Sequence, residues 1–344
     1  MNGRQRIVAA LAGEPADTVP VMLHNFMMAA REYGVTMARF RSDPAAICGA
    51  MVASVERYRF DGIVVDVDTA TLAGAVGVQV DFPTDMPARA RAGCLDTLEA
   101  VKDLEPADVA GNHRVQVWLE AVRLVKAAVK DEIAVRGNCD QAPFSLAAMM
   151  RGLENWMMDL TTGDEGCVDR LLDYCTGATV QFVRLMAGTG CDMVSNGDSL
   201  AGPEMISPEM YERFALPCEA RVASAARACG LPYALHICGK TDPILEMMTR
   251  TAADAFELDY KTSAAAARRR FRDRATLIGN IDPGGVLASG TPGEVRRATR
   301  DLLEAFRGSH RLILNAGCAI PAETPPANLS AMIGTAREWR PAAC

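Results

Sequence analysis

The chain has 344 residues, of which 49% are hydrophobic and 23% are charged, and its formal net charge is −7. This acidic balance argues against the basic surface of a nucleic-acid-binding protein, and no run of about 18 apolar residues predicts a transmembrane helix. The eleven cysteines are scattered without the spacing of a disulfide framework, and no secretory signal is recognisable. Reduced thiols and a cytoplasmic location are therefore expected.

Helical periodicity over residues 4–13 predicts an N-terminal helical extension ahead of the first strand. Eight short apolar segments follow, and each of them precedes a segment with helical character. The strands are predicted at 19–23, 61–65, 132–136, 192–195, 233–236, 255–258, 276–279 and 311–315. Helices are predicted at about 44–59, 114–130, 208–228, 242–251, 262–272, 292–306 and 325–338.

This alternation of strand and helix predicts an α/β fold, a (β/α)8 TIM barrel in a single domain that spans residues 1–344. A doubly wound sheet is the alternative, but neither of the glycine-rich nucleotide-binding motifs occurs. Residues 79–112 are rich in Pro, Gly and Asp and are predicted to form an excursion or lid.

Polar side chains follow every predicted strand, whereas the strand interiors contain few of them. Because the carboxyl ends of the strands meet at one end of a barrel, these residues are expected to share one pocket. The set comprises His24, Asn25, Asp66, Asp68, Asn138, Asp140, Asn196, Asp198, His236, Cys238, Asp259, Asn280, Asp282, Asn315 and Cys318.

Three residues of this set are candidate metal ligands. His236 and Cys238 lie one residue apart at the end of the fifth strand, and Cys318 follows the eighth. Three nitrogen and sulfur ligands with one open position are typical of a catalytic zinc site, so Zn²⁺ is expected here. Asp198 or Asp259 could supply a fourth ligand at rest. The alternative interpretation is that the three residues only pack in the core and in a tight turn.

Five segments, at 61–68, 141–146, 198–202, 279–283 and 315–318, carry a resemblance to a known family. They resemble motifs of the uroporphyrinogen decarboxylase superfamily, in the same order, and the resemblance extends over nearly the whole chain. The superfamily implies a (β/α)8 barrel, in agreement with the pattern of strands and helices.

Within that superfamily the chain resembles the cobamide-dependent methyltransferases, both those that act on coenzyme M and those that demethylate methoxy-aromatics. These enzymes bind zinc through His-x-Cys and a distant Cys, the pattern described above. True decarboxylases have arginines after the first strand, where this chain has His24. They have a tyrosine where Met149 or Met150 stands and a histidine where Cys318 stands. These differences favour the methyltransferase branch.

The resemblance implies a zinc-dependent methyltransferase that moves a methyl group between a small methyl donor or thiol and a cobalamin-type corrinoid. No Asp-x-His-x-x-Gly corrinoid motif occurs in the chain, so the corrinoid is expected on a separate partner protein. Catalytic roles are expected for Asp68, Asp198 and Asn280, and substrate contacts for His24, Asn138, Met149, Asp259 and Asn315.

Two other functions remain open on the sequence. One is a decarboxylase-like lyase that acts without a metal, and the other is a metal-holding or partner-binding barrel without activity. The substrate is open as well, since methoxylated aromatics, methylamines, a betaine, methanol-derived methyl groups and methylthiols all suit such a barrel. No membrane or nucleic-acid partner is expected.

Overall fold

The computed structural model describes residues 1–339, and an eight-stranded parallel sheet forms its centre. The strands of this sheet are Met22–Leu23 (β1), Gly62–Val65 (β2), Ala134–Gln141 (β5), Met193–Gly197 (β6), Tyr233–Ile237 (β7), Ala255–Leu258 (β8), Thr276–Ile281 (β9) and Leu312–Ala316 (β10). Two further strands, Gln79–Asp81 (β3) and Arg89–Ala92 (β4), pair with each other as an antiparallel hairpin.

The sheet closes into a barrel between its first and last strands. Neighbouring strands pair in parallel in the order β1, β2, β5, β6, β7, β8, β9 and β10. A parallel bridge then joins Val21 to Leu314, and the Leu314 amide donates a 2.8 Å hydrogen bond to the Pro20 carbonyl. The predicted (β/α)8 architecture is confirmed, with all eight barrel strands at their predicted places.

Helices surround the barrel, and capping residues begin several of them. The Asp43 carboxylate accepts from the Ala45 and Ala46 amides, and Thr291 forms a capping box with Glu294. The α-helices are Gly3–Ala12 (α1), Phe26–Tyr33 (α2), Met37–Phe40 (α3), Pro44–Tyr58 (α4), Thr71–Ala75 (α5), His113–Val129 (α6), Pro143–Arg151 (α7), Leu153–Thr162 (α8), Glu165–Ala187 (α9), Pro208–Met210 (α10), Leu216–Ala228 (α11), Leu245–Met248 (α12), Ala264–Phe271 (α13), Pro292–Ala305 (α14) and Pro326–Glu338 (α15).

Short helical segments of other types complete the helical layer. Turns of 3₁₀ helix occupy Leu98–Asp103, Asp242–Ile244 and Thr249–Thr251, and π-helical turns occupy Tyr211–Ala215 and Pro283–Ala288. None of the helices within residues 1–339 is both long and apolar enough to cross a membrane.

The floor of the barrel is a separate apolar cluster to which every barrel strand contributes one residue. Ile7 and Ala10 of α1 pack onto this layer from below, so the N-terminal helix closes the barrel. The strand residues of the layer are Met22, Val64, Ala134, Met193, Ala234, Ala255, Ile278 and Ile313.

Three sequence predictions differ from the structure in detail. Strand β5 continues to Gln141, so Asn138 and Asp140 lie inside a strand rather than after it. The helix predicted at 242–251 is a single α-helical turn between two 3₁₀ turns. The strand interiors were expected to contain few polar residues, yet the charged residues Arg136 and Glu257 lie within β5 and β8. Their opposite charges compensate each other, which explains why both tolerate burial.

The predicted excursion at 79–112 contains the β3–β4 hairpin and the 3₁₀ turn at Leu98–Asp103. Arg41 is buried and its guanidinium donates to the Met86 carbonyl at 2.7 Å and to the Pro83 carbonyl. The Arg114 guanidinium lies 3.5 Å from the centroid of the Phe82 ring. These contacts tie the excursion to the barrel, and its movement as a lid stays a prediction.

The floor of the barrel yields a test of stability. We expect Ile7→Ala to lower the free energy of unfolding by about 2–5 kcal/mol, because it leaves a cavity in a layer with few ways to collapse. Urea unfolding followed by circular dichroism measures the loss. Val8→Ala is the matched control on the same helix, since Val8 is 49% exposed and Ile7 only 2%. Equal losses for the two variants would contradict the role assigned to Ile7.

Candidate metal centre

A layer of polar residues lies immediately above the apolar floor of the barrel. Each residue of this layer lies two positions after the floor residue of the same strand, and residues two positions apart share a face of the sheet. Around the whole barrel, the first of these two positions is apolar and the second is polar. The residues at these positions are His24, Asp66, Arg136, Ser195, His236, Glu257, Asn280 and Asn315.

Ionic hydrogen bonds connect this layer across the barrel. The His24 ring lies between two carboxylates, with Nε2 2.6 Å from Asp66 Oδ2 and Nδ1 3.3 Å from Glu257 Oε1. Glu257 also forms a buried ion pair with Arg136. The Arg136 Nε in turn donates to Ser195 Oγ at 2.7 Å. The network therefore spans strands β5, β6 and β8 and the residues that directly follow β1 and β2.

The network sets the charge of its members. Burial lowers the pKa of His24, but the hydrogen bonds to Asp66 and Glu257 outweigh it and raise the pKa to about 9. Burial raises the pKa of Glu257, and the charges of Arg136 and His24 outweigh it and hold the pKa well below its usual range. A charged imidazole between two carboxylates is therefore expected at neutral pH.

His236, Cys238 and Cys318 form a compact cluster beside this network. One ligand atom from each residue lies within 4.8 Å of the other two, and His236 Nε2 lies 3.1 Å from Cys238 Sγ. The His236 Nδ1 lies 2.9 Å from the Glu257 carbonyl oxygen and donates to it. That hydrogen bond leaves Nε2 free to bind a metal, an arrangement common for histidine ligands.

Glycines allow the two cysteine turns to approach each other. Gly239 follows Cys238 with a φ of 81°, in the left-handed region that favours glycine. Gly317 precedes Cys318, and a Cβ atom there would overlap the backbone nitrogen of Tyr260. The loops after β7 and β10 can therefore bring both thiols to the same point.

The electrostatics of the cluster suit a bound cation. The adjacent Cys318 thiol, which outweighs burial, and the His236 ring hold the pKa of Cys238 well below its usual range. Burial lowers the pKa of His236, but the negative charge of Cys238 raises it to about 9. These surroundings favour the thiolate form of Cys238, the form in which cysteine binds zinc, whereas the hydrogen bond to Cys238 and burial raise the pKa of Cys318 well above its usual range. The donor set therefore fits Zn²⁺, and among residues 1–339 no carboxylate belongs to the cluster.

The cluster opens into a cavity of about 200 Å³ at the carboxyl ends of the strands. Eight of the residues expected to share one pocket line it: His24, Asp66, Asn138, Asp140, Asn196, His236, Cys238 and Cys318. The other side chains of its wall include Phe26, Met27, Arg136, Gln141 and Glu257.

The three residues with expected catalytic roles are absent from the lining of the cavity, and their side chains bind backbone groups. Asp68 accepts from the amides of Ala70 and Thr71 at the start of α5. Asp198 accepts from the Ser145 amide in the first turn of α7 at 2.7 Å. Their catalytic roles stay predictions.

The side chains of Asn280 and Asp259 also form hydrogen bonds with backbone groups. Asn280 donates to the carbonyls of Asp259 and Thr262. The Asp259 carboxylate accepts from the Gly239 amide at 2.9 Å, so it supports the turn after Cys238. A fourth-ligand role for Asp198 or Asp259 likewise stays a prediction.

Asn315 and Met149 also lie outside the lining of the cavity. The Asn315 side-chain oxygen accepts from the His24 amide at 3.2 Å, which connects the ends of β10 and β1. Met149 is half-buried and packs against the main hydrophobic core. Substrate contacts by these two residues stay predictions.

Arg136 and Glu257 are the main residues that the sequence reasoning missed. Both are polar residues inside apolar strands, and attention to strand ends excluded them. The period of two along a strand would have found them, because each lies two residues after a floor residue on the same strand.

The chain is similar to known proteins in both sequence and fold. The family model described as Uroporphyrinogen decarboxylase (URO-D) matches residues 2–339. The methylcobamide:CoM methyltransferase MtbA of Methanosarcina mazei is 34% identical over 246 residues, which cover 70% of each chain. The MtbA of Methanosarcina acetivorans is 30% identical over 323 residues, 86% of this chain and 93% of that protein. A solved structure, a methyltransferase from Methanosarcina mazei, has the same fold, with a TM-score of 0.89 at 23% identity over 98% of this chain and 99% of that chain.

The raised pKa of His24 predicts a pH-dependent stability. Its contribution is fully present below the ordinary pKa of 6.5 and is lost as the pH rises through about 9. We therefore expect the free energy of unfolding lost in His24→Asn to shrink by about 3 kcal/mol over this range. Denaturant unfolding of both proteins across the pH range measures it. The pH dependence should weaken in an Asp66→Asn background, and a loss that grows with pH would contradict the assignment.

Proposed function

The chain belongs to the uroporphyrinogen decarboxylase family, and within that family we propose that it is a zinc-dependent methyltransferase. It moves a methyl group between a small methyl donor or thiol and a cobamide carried by a separate corrinoid protein. The observation that carries the proposal is the cluster of His236, Cys238 and Cys318 inside the cavity at the barrel mouth. Relatives named as methylcobamide:CoM methyltransferases support the reaction class.

His236, Cys238 and Cys318 would hold the metal. When bound there, zinc supplies a Lewis acid that lowers the pKa of a thiol or polarises the oxygen of a methyl ether. The Glu257 carbonyl keeps the His236 ring oriented for this role through the 2.9 Å hydrogen bond from Nδ1.

The methyl transfer to a thiol balances without a further reactant. The carbon–cobalt bond of the methylated cobamide breaks and a carbon–sulfur bond forms. The electron pair of the broken bond stays on cobalt, and the proton of the thiol leaves to solvent. The residues of this chain hold and orient the small substrate, while the partner presents the methyl group at the barrel mouth.

The residues that precede the histidines of the chain are the reason to propose a separate corrinoid protein. A base-off cobalamin site of the Asp-x-His-x-x-Gly type needs an aspartate two residues before the histidine. Met22, Gly111, Ala234 and Gly308 stand two residues before the four histidines of this chain. The cobamide is therefore proposed to arrive on a partner.

The decarboxylase alternative has less support. A porphyrinogen carries several carboxylates, and these need cations in the wall of the binding site. Among the described residues Arg136 is the single arginine of the wall, and it is already paired with Glu257. A cavity of about 200 Å³ is also small for a tetrapyrrole.

The metal site is tested by metal content. We expect about one zinc ion per chain in the purified protein, because three-ligand catalytic sites bind one metal. His236→Ala, Cys238→Ala and Cys318→Ala should each reduce zinc to a small fraction of this value, as measured by elemental analysis. Cys229→Ala is the control, since Cys229 is an exposed cysteine outside the cluster. A cluster variant that kept full zinc content would remove its residue from the set of ligands.

The reaction is tested by the demethylation of added methylcobalamin. We expect the zinc-loaded chain to transfer its methyl group to small thiols, with loss of the methylcobalamin absorbance and formation of the thioether. The three cluster variants should be inactive because they lack the metal, and Cys229→Ala should keep the activity. Full methyl transfer by the zinc-free protein would contradict the proposed role of the metal. Methyl transfer at full rate from a methyl donor to a thiol with no corrinoid present would contradict the proposed corrinoid partner.

A further inference from the structure

Two nitrogen donors on the wall of the cavity have no hydrogen-bond partner. They are Nη2 of Arg136 and Nδ2 of Asn138, and both residues line the cavity. Within residues 1–339, no group accepts a hydrogen bond from either nitrogen. Both nitrogens remain accessible to solvent, whereas Nη1 of Arg136 is fully buried against Glu257. Because the two residues are only 2% and 8% exposed, these donors are reached through the cavity.

Strand β5 and Ser195 place the two donors on one side of the cavity. Arg136 and Asn138 are two residues apart on β5 and therefore share a face of the sheet. The Ser195 hydroxyl connects them, since it accepts from Arg136 Nε at 2.7 Å and donates to Asn138 Oδ1 at 3.1 Å. The amide oxygen of Asn138 is thus engaged, and Nδ2 is the free end of the amide. Ser195 is a positioning residue for both donors.

The charges of the wall leave room for an anion beside these donors. Glu257 pairs with Arg136 and with His24. Asp66 pairs with His24 as well, so two carboxylates balance two cations. Burial raises the pKa of the third carboxyl group, that of Asp140, well above its usual range and favours its uncharged form. An anion that binds Arg136 therefore meets no uncompensated negative charge among these groups.

The chemistry of the two donors indicates the group that they bind. Arg136 Nη2 belongs to a guanidinium, which forms its strongest hydrogen bonds with acid groups. A carboxylate or a sulfonate has enough oxygens to accept from Arg136 and from Asn138 at once. A single ether or hydroxyl oxygen carries no charge to pair with the guanidinium, and an ammonium group has no acceptor at all.

From these contacts we propose that the small substrate carries an acid group, a carboxylate or a sulfonate, that binds to Arg136 Nη2 and Asn138 Nδ2. The inference rests on the proposed function, because it names the substrate class of the same cavity. Strand β6 separates β5 from β7, which carries His236, so the acid group binds away from the reacting end of the substrate. One pair of donors suits one acid group, whereas a porphyrinogen carries several.

Four thiols with the same two-carbon spacer test the inference. Their far ends are anionic in 3-mercaptopropionate and 2-mercaptoethanesulfonate, neutral in 2-mercaptoethanol and cationic in 2-aminoethanethiol. Binding to the zinc-loaded full chain is measured by calorimetry, and methyl transfer from methylcobalamin is measured separately. We expect at least one anionic thiol to bind about tenfold more tightly than 2-mercaptoethanol, the size of effect of one charge-assisted hydrogen bond. The acidity of the thiols alone predicts the opposite order, because an ammonium group favours the thiolate.

The two measurements distinguish failure of this inference from failure of the proposed function. Tighter binding of 3-mercaptopropionate than of 2-mercaptoethanesulfonate would identify the acid group as a carboxylate, and the reverse order would identify a sulfonate. Equal or weaker binding of both anions relative to 2-mercaptoethanol, or no binding of any thiol, would overturn the inference even if methyl transfer occurred. Preferred binding of an anion without methyl transfer to any thiol would support the inference and overturn thiol methylation as the function.

Asn138→Asp tests the pair of donors directly. It keeps the oxygen that accepts from Ser195 and replaces Nδ2 by a second oxygen, so the shape is retained and the free donor is lost. We expect the preference for the anionic thiols over 2-mercaptoethanol to fall by about tenfold at unchanged zinc content. Asn155→Asp, which adds the same charge at an exposed position of α8, is the control and should keep the preference.

An unchanged preference in zinc-loaded Asn138→Asp protein would overturn the assignment of Asn138. Arg136→Lys is the second variant, because it keeps a positive charge for Glu257 but has a single nitrogen in place of three. The same loss of preference is expected, and an unchanged preference would overturn the assignment of Arg136. If neither variant folds, the four thiols on the native protein still decide whether the cavity prefers an acid group.

Discussion

Glu257 joins the cluster of His236, Cys238 and Cys318 to the charged layer of the barrel. Its backbone carbonyl accepts from His236 Nδ1, and its carboxylate pairs with Arg136 and with His24. Removing one partner of a buried ion pair typically costs about 3–5 kcal/mol, because the other charge is left uncompensated. The orientation of His236, the proposed metal ligand, therefore depends on a strand whose position is itself held by two ion pairs. Arg136 and His24 are therefore connected to His236 through Glu257.

The fold was largely predictable because buried parallel strands have a simple signature. Each of the eight strands is a short apolar run followed by a helix, and the bridge between Val21 and Leu314 closes the barrel. The boundaries were less predictable. Strand β5 continues through Asn138 and Asp140 because these polar residues face a cavity lined by other polar groups. Local composition does not reveal such a partner on a distant strand.

The site was predictable in part, for a related physical reason. His236, Cys238 and Cys318 were found because soft ligands at strand ends are uncommon and chemically distinctive. Asp68 and Asp198 also follow strands, but in this fold their carboxylates accept hydrogen bonds from backbone amides at the starts of α5 and α7. In a barrel each strand end is close to a helix start, so an acidic residue there either caps the helix or lines the pocket. Sequence position alone does not distinguish the two roles.

The charge of the cavity follows from the same layered arrangement. Two thiolates and one neutral imidazole would balance the charge of Zn²⁺, so the proposed metal cluster would contribute no net charge. The remaining charge of the wall then depends on Asp66 and Glu257 against His24 and Arg136, because burial raises the pKa of Asp140 well above its usual range and favours its uncharged form. Four of these five groups satisfy one another through contacts across the barrel. Asp140 is the fifth, and its carboxyl group accepts instead from the Leu72 amide in the first turn of α5.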